Sequence, residues 1–338
     1  MRANIRQVAE MAGVSRTTVS NVLLGKTGRI TAEKRDTVLR AVEELGYVPV
    51  KPVLQNRAEK TRVLALALHE PSLIHFKFHS QVYAGVCEAA LRHDYDVLTV
   101  LRSNPKWAVN RKAVSLLDRR SDGILFLPPS DNNTELFQDL ADSGIPTVAT
   151  YQREVPDGIA WVDPDNVMAI NLMVDHLVDH GHSRIVHVTA YVNAQYDFRV
   201  RKQAFIEAMQ RHSLAIPEEF IIDATYGLDS EMASRIIATG ATAALCANDS
   251  LAMRLWEEVE NIGLRVPNNI SITGIDHQSD EFGSKQLTTV EFSYSGLGVV
   301  AVDALIDLIA GKDAKDCCRE IPPRFVSGNS VKRLCTAS

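Results

Sequence analysis

Apolar residues along the first 45 positions recur at helical spacing in three short runs. Val8, Ala9 and Ala12 share one small face, Val19, Val22 and Leu23 a second, and Val38, Leu39, Val42 and Leu45 a third. Polar signals punctuate the runs. Asn4, with Gln7 three residues on, makes a capping box, Gly13 stands where the chain must turn sharply, Ser15 and Thr31 are N-caps, and Gly46 is a stop. The first two runs and their tight turn read as a helix-turn-helix, and the third completes a headpiece over residues 1–47. Residues 48–60 have little apolar periodicity and two prolines, the pattern of a linker.

From Arg62 the pattern changes to short apolar runs alternating with amphipathic stretches. The runs are 63–68, 97–101, 123–127 and 147–150, then 185–189, 220–222, 243–246 and 270–275. Helical periodicity fills the gaps at 81–92, 133–142, 166–180, 198–212 and 249–263. Uninterrupted apolar strands between helices predict parallel strands buried on both faces. Two groups of four strands, separated near 159–163, predict two doubly wound lobes with a ligand crevice at the carboxyl ends of their strands.

Charge adds a direction to this plan. The whole chain of 338 residues has a formal net charge of −6, but residues 1–60 hold eleven Lys and Arg against six Asp and Glu. A basic head on an acidic body implies that the head alone meets phosphate. On the second helix Arg16, Thr17, Ser20 and Asn21 point away from the apolar face, a compact polar surface suited to base edges in the major groove. An ordinary helical hairpin with a solvated outer face is the plain alternative. No run of eighteen apolar residues and no secretory leader is present, so a cytoplasmic, nucleoid-associated protein is expected. The five cysteines form no CxxC pair and read as reduced thiols.

The segments IRQVAEMAGVSRTTVSNVL, ELGY, DGILFLP, SGIPTVA, DHLVDHGHSRIVHVTA, ALCANDSLAMRLW, IGLRVPNNISITGID and QLTTVEF follow one another in a set order. With them the chain resembles the lactose/galactose-repressor family of bacterial transcription regulators over nearly its whole length. The resemblance implies an all-α helix-turn-helix headpiece followed by a two-lobed α/β, periplasmic-binding-protein-like body of doubly wound parallel sheets. It divides the chain into a headpiece (1–47), a hinge linker (48–60), an effector-binding and dimerisation domain (61–331) and a tail (332–338). The N-lobe would take about 61–160 and 291–320, and the C-lobe about 161–290 and 321–331. It further implies a homodimer on a near-palindromic double-stranded operator, with helices near 79–92 and 107–119 in the dimer interface. After the final strand region near 325–331 no heptad repeat follows, so a tail-made tetramer is not expected.

Three departures from the family pattern stand out. The loop from Leu23 to Arg29 is one residue longer, with Leu24 in place of an Asn; the linker puts Asn56 in the slot of a groove-wedging leucine, and Lys51 and Val53 in alanine positions; and Gln152-Arg153 replaces an Asp-Arg pair. Leu54 is then the candidate displaced wedge for the minor groove.

Arg16, Thr17 and Asn21 are the candidates for base contacts, and Ser15, Thr18, Ser20 and Arg29 for phosphate, with Lys34 a further possible surface contact. For the effector, the resemblance points to Phe78, Arg201, Tyr226, Asn248 and Asp276. A carboxylate and an amide for hydroxyls, an arginine fork and aromatic ring faces together suit a small sugar-like or nucleoside-like molecule. Asn248 also has a plain reading as a helix cap, and Phe78 one as core.

His176, His180 and His182 are spaced like a metal cluster, but the helix ends at Gly181 and no acid or thiol completes a site, so neither metal nor cofactor is expected. Gly296-Leu297-Gly298 imitates a dinucleotide fingerprint with too little chain after it, and reads as a helix start. An enzyme on the same body would need a nucleophile elbow, P-loop or metal motif, none of which is present. A periplasmic-type sugar-binding module has no use for the headpiece. Repression against activation, and inducer against corepressor, stay open.

Overall fold

The computed structural model describes residues 5–23, 30–45, 60–68, 77–101, 120–127, 134–191, 195–277 and 285–334. Asn4, the loop containing Arg29, Gly46, the linker with Leu54 and the helix expected at 107–119 lie outside them. The chain divides into two compact units, Met1–Lys60 and Thr61–Ser338.

The headpiece is three helices, α1 (Ile5–Met11), α2 (Arg16–Leu23) and α3 (Ala32–Glu44). Val8, Ala9 and Ala12 meet Val19, Val22, Val38 and Ala41 in one small core. Leu39, expected in that core, is 45% exposed. The buried stripe on α3 runs through Val38, Ala41, Val42 and Leu45, and Leu39 lies about 100° off it. Ser15 Oγ accepts from the Thr18 amide at 3.1 Å and caps α2, while Thr31 Oγ1 accepts from the Lys34 amide and caps α3. Gly13 turns the chain at φ +63°, a conformation that any side chain would strain.

Among the described residues the body holds a six-stranded and a four-stranded sheet, and every strand pair within each is parallel. The first contains β1 (Val63–Leu68), β2 (Asp96–Leu101), β3 (Gly123–Phe126), β4 (Thr147–Thr150), β5 (Ala160–Pro164) and β11 (Arg319–Ile321), in the order β11-β5-β4-β3-β1-β2. The second contains β6 (Ile185–Thr189), β7 (Ile221–Asp223), β8 (Ala243–Cys246) and β9 (Ser271–Thr273), in the order β7-β6-β8-β9. A separate antiparallel pair joins β10 (Thr289–Glu291) to β12 (Arg324–Val326).

The stretch 159–163, read from sequence as the separator between lobes, is a correction: most of it is strand β5, buried within the first sheet. It is short and closes on Asp163-Pro164, so it looked like loop punctuation. The chain leaves the first lobe only afterwards, into α6 (Asn166–Asp179).

The helices between strands are α4 (Lys77–Arg92), α5 (Thr134–Ser143), α6, α7 (Tyr196–Arg211), α8 (Ser230–Ala238), α9 (Asp249–Asn261) and α10 (Tyr294–Ile309). The Gly296-Gly298 segment is the first turn of α10, capped by Ser293 Oγ. This helix returns to the first lobe, packing on α4 and on β3, β4 and β5. Among the described residues the chain thus passes between the sheets three times, after β5, before α10 and after β11. No helix among them is long and apolar enough to cross a membrane, and Cys87, Cys246, Cys317 and Cys318 are free thiols.

Candidate effector site and DNA-binding face

In the headpiece, α2 buries Val19 and Val22 and leaves Ser15, Arg16 and Thr17 exposed, with Thr18, Ser20 and Asn21 partly so. Ser15 and Thr18 bond to each other, hydroxyl to hydroxyl, at 2.9 Å. Their first duty is therefore the cap, while Arg16 and Thr17 project freely from the first turn.

In the body, the polar residues converge at the carboxyl ends of the strands. Arg201 on α7 is buried. Its Nε donates to Asn166 Oδ1 at 2.7 Å, Nη1 to the Ala247 carbonyl at 2.6 Å, and Nη2 to Asp276 Oδ1 at 3.3 Å. Asp276 follows β9, and its Oδ1 also accepts from the Tyr294 hydroxyl at 2.8 Å. Tyr294 opens α10, so this bond ties the first lobe to the second. Arg199 on α7 makes a further tie to Glu154 at 2.6 Å, between exposed side chains.

Phe78 stands beside this network, with its ring 5.7 Å from Tyr294 and 6.2 Å from Tyr151. Tyr151 and Asp276 hold φ of +58° and +105°. Non-glycine residues in that region cost energy and concentrate where a side chain must be aimed.

Three of the five residues expected to bind effector, Phe78, Arg201 and Asp276, therefore come together. Asn248 directly follows Ala247, whose carbonyl Arg201 holds, and Tyr226 lies near the end of β7. Asn248 Oδ1 accepts from the Leu251 amide at 2.8 Å and caps α9, the plain reading of that residue. Tyr226, in the turn after β7, is fully exposed.

Sequence reasoning missed Tyr151, Asp163, Asp197 and Tyr294. Asp197 lies four residues before Arg201 on α7 and accepts from Asn166 Nδ2 at 3.1 Å. Asp163 ends the overlooked β5, where its Oδ2 accepts from Arg153 Nε at 2.6 Å. Arg153 also bonds Glu320 on β11 and lies 4.6 Å over the Trp161 ring. The signal that could have found Tyr151, Asp163 and Tyr294 was their position just past an apolar run.

Burial pushes the carboxyl of Asp163 up to about 7, helped by the charge of Asp197 and opposed by Arg153 and Arg201. Burial likewise pushes Asp197 up to about 6 against the pull of Arg201, and raises Asp276 against Arg201 and Tyr294. His187, packed on Phe205 with ring centroids 4.9 Å apart, and His176 are pushed down by burial to about 3 and about 4. His182 holds Thr242 and the Lys332 carbonyl through its two ring nitrogens.

A sign follows for stability. A carboxyl with a raised native pKa keeps its proton longer folded than unfolded, so stability falls as pH rises through that range. The histidines oppose this only below about pH 6.5, where the unfolded chain charges them. Between pH 6.5 and 8 the ligand-free protein should lose under about 1 kcal/mol through Asp163, and Asp163→Asn should flatten the slope in urea melts. An unchanged slope in the variant would show that Asp163 titrates normally.

Residues 4–50 match the bacterial regulatory proteins of the lacI family, and residues 174–331 match a periplasmic binding protein-like domain. The chain is similar to the HTH-type transcriptional repressor PurR of Pasteurella multocida, 30% identical over 346 residues, covering 98% of this chain and 99% of that protein. It is 28% identical over 339 residues to PurR of Mannheimia succiniciproducens, covering 98% of this chain and 99% of that protein. Its fold is that of the lac repressor dimer solved with operator and the anti-inducer ONPF (TM-score 0.74, 23% identity, 98% of this chain and 100% of that one). It is shared too with the regulator CelR solved with cellobiose (TM-score 0.69, 24% identity, 98% and 100%). Helix-turn-helix head, two-lobed α/β body and full-length similarity agree: this chain belongs to the lacI family of bacterial regulatory proteins.

Proposed function

We propose that this regulator acts as a homodimer whose operator affinity is set by a small sugar-like or nucleoside-like effector bound around Arg201 and Asp276. The observation that carries this is the buried bond set of Arg201, Asn166, Asp276 and Tyr294, which includes one link across the lobes. A ligand that competes for Asp276 changes what holds α10 to the second lobe, and so favours one lobe arrangement over another. Its differential affinity for the two arrangements is the coupling to DNA. Each headpiece reads one half-site, so two copies on a near-palindrome are needed. Arg16, Thr17 and Asn21 read bases and Ser15, Thr18, Ser20, Arg29 and Leu54 position the head and linker. Dimerisation uses the lobes, with α4 in the contact. The protein works at the nucleoid, in the cytoplasm, as a regulator rather than an enzyme. Asp276, already accepting from Arg201 and Tyr294, serves as a binding group.

Binding to an operator selected from random DNA tests the division of labour. Arg16→Ala or Asn21→Ala should weaken operator binding about tenfold to a hundredfold, ~1–3 kcal/mol, with effector affinity unchanged. Asp276→Asn should keep operator binding and lose the ligand response. A normal response in that variant would displace the pocket from this site.

A further inference from the structure

The site holds more negative charge than Arg201 balances. The charge of Asp197 raises the proton affinity of Asp163, and the charge of Asp276 raises that of Asp197. Arg201 and Arg153 oppose them, and Arg153 also spends itself on Glu320. Asp163 is wholly buried, and its Oδ1 has no hydrogen-bond partner among the described residues. The Tyr151 hydroxyl is likewise buried and without a partner among the described residues, within the electrostatic reach of Asp197, Asp276 and Asp163. Asp197 is surrounded deeply enough for desolvation to shift it, yet part of its surface stays reachable by solvent, as for a group lining a hollow. Three rings, Phe78, Tyr151 and Tyr294, stand 5.7 to 6.5 Å apart around the same place.

A buried carboxylate oxygen without a donor is costly, and such groups are normally paired or neutralised. A neutral polyol would leave that imbalance in place, and an anionic one would worsen it. An ammonium group donates in three directions and is attracted to ring faces as well as to carboxylates.

Resting on the effector reading of Arg201 and Asp276, we propose that the effector is an amino sugar, a cyclic polyol bearing a protonated amine. Its ammonium lies between Asp163 Oδ1 and Asp197, and its ring is covered by Phe78, Tyr151 and Tyr294. Without ligand the acids hold protons instead, Asp163 up to about 7 and Asp197 up to about 6. Entry of the ammonium expels them. The groups facing this pair are Arg153 on the β4–β5 loop, Tyr196 and Arg201 on α7, and Asp276 after β9.

Calorimetric titration of the full chain at about pH 6.5 tests this, because both acids are then partly protonated. The probes are glucosamine, galactosamine and mannosamine, each against its neutral parent sugar. At least one amine should bind about tenfold or more tighter than its parent. Its enthalpy should vary with the ionisation enthalpy of the buffer, reporting protons released. Asp163→Asn should remove both effects, so that the amine binds the variant no tighter than its parent does and without proton release; if that variant fails to fold, Asp197→Asn serves in its place. Parents that bind as tightly as their amines, or amines that fail to bind below about 50 mM, overturn the proposal. If parents bind and Arg201→Ala abolishes their binding, only the amine is wrong. If parents bind and Arg201→Ala leaves them unaffected, the effector site itself is misplaced.

Discussion

Arg201→Ala should destabilise the ligand-free protein by about 3–5 kcal/mol at pH 8 and abolish its response to effector. The guanidinium is 5% exposed and holds an amide oxygen, a main-chain carbonyl and a carboxylate at once. Its removal strands Asp276 and Asp197, whose carboxyls burial already raises. Both can take protons, so the loss should shrink at pH 5, where neutral carboxyls no longer need the counter-charge. Arg201→Lys keeps the charge but not the planar fork, and should recover only part of the stability. Urea melts at the two pH values measure this. A loss below about 1 kcal/mol at pH 8 would show that Arg201 is not the keystone of the buried charges.

Gly85→Ala should cost about 1–3 kcal/mol and weaken effector binding as well. A Cβ there would stand 1.9 Å from the Ser295 carbonyl oxygen, and one on Gly298 would stand 2.2 Å from that of Val82. Both obstacles are backbone, so α4 and α10 must part. Separation opens the packing of Val82, Val86, Leu297 and Ala301, all buried. It also moves the first turn of α10, where Tyr294 holds Asp276. Combined urea melts and effector titrations decide the matter. Lower stability with unchanged effector affinity would mean that the helix crossing and the site are independent.

The sequence was most legible where periodicity is long. Helices α6, α7 and α9 were expected within two residues of each end. The two parallel sheets were legible as apolar runs, apart from β5 with its Asp-Pro ending, and β11, which lies far along the chain from its partner strand. The site was less so. Arg201 and Asp276 came from family resemblance. Asp163 and Asp197 owe their meaning to a juxtaposition of two lobes that spacing cannot encode. Tyr226 is expected as a stacking ring by position, and it is exposed in the turn after β7. Asn248 has two uses open to it, and its Oδ1 makes the cap of α9.

The three passages between the lobes fix an order of synthesis. Strands β6 to β9 and helices α6 to α9 come from one continuous stretch of chain, so the second sheet can close as soon as that stretch leaves the ribosome. The first sheet begins earlier but waits for α10 to cover it and for β11 to take its edge. The lobe translated first is therefore completed last, and its apolar face must stay shielded meanwhile.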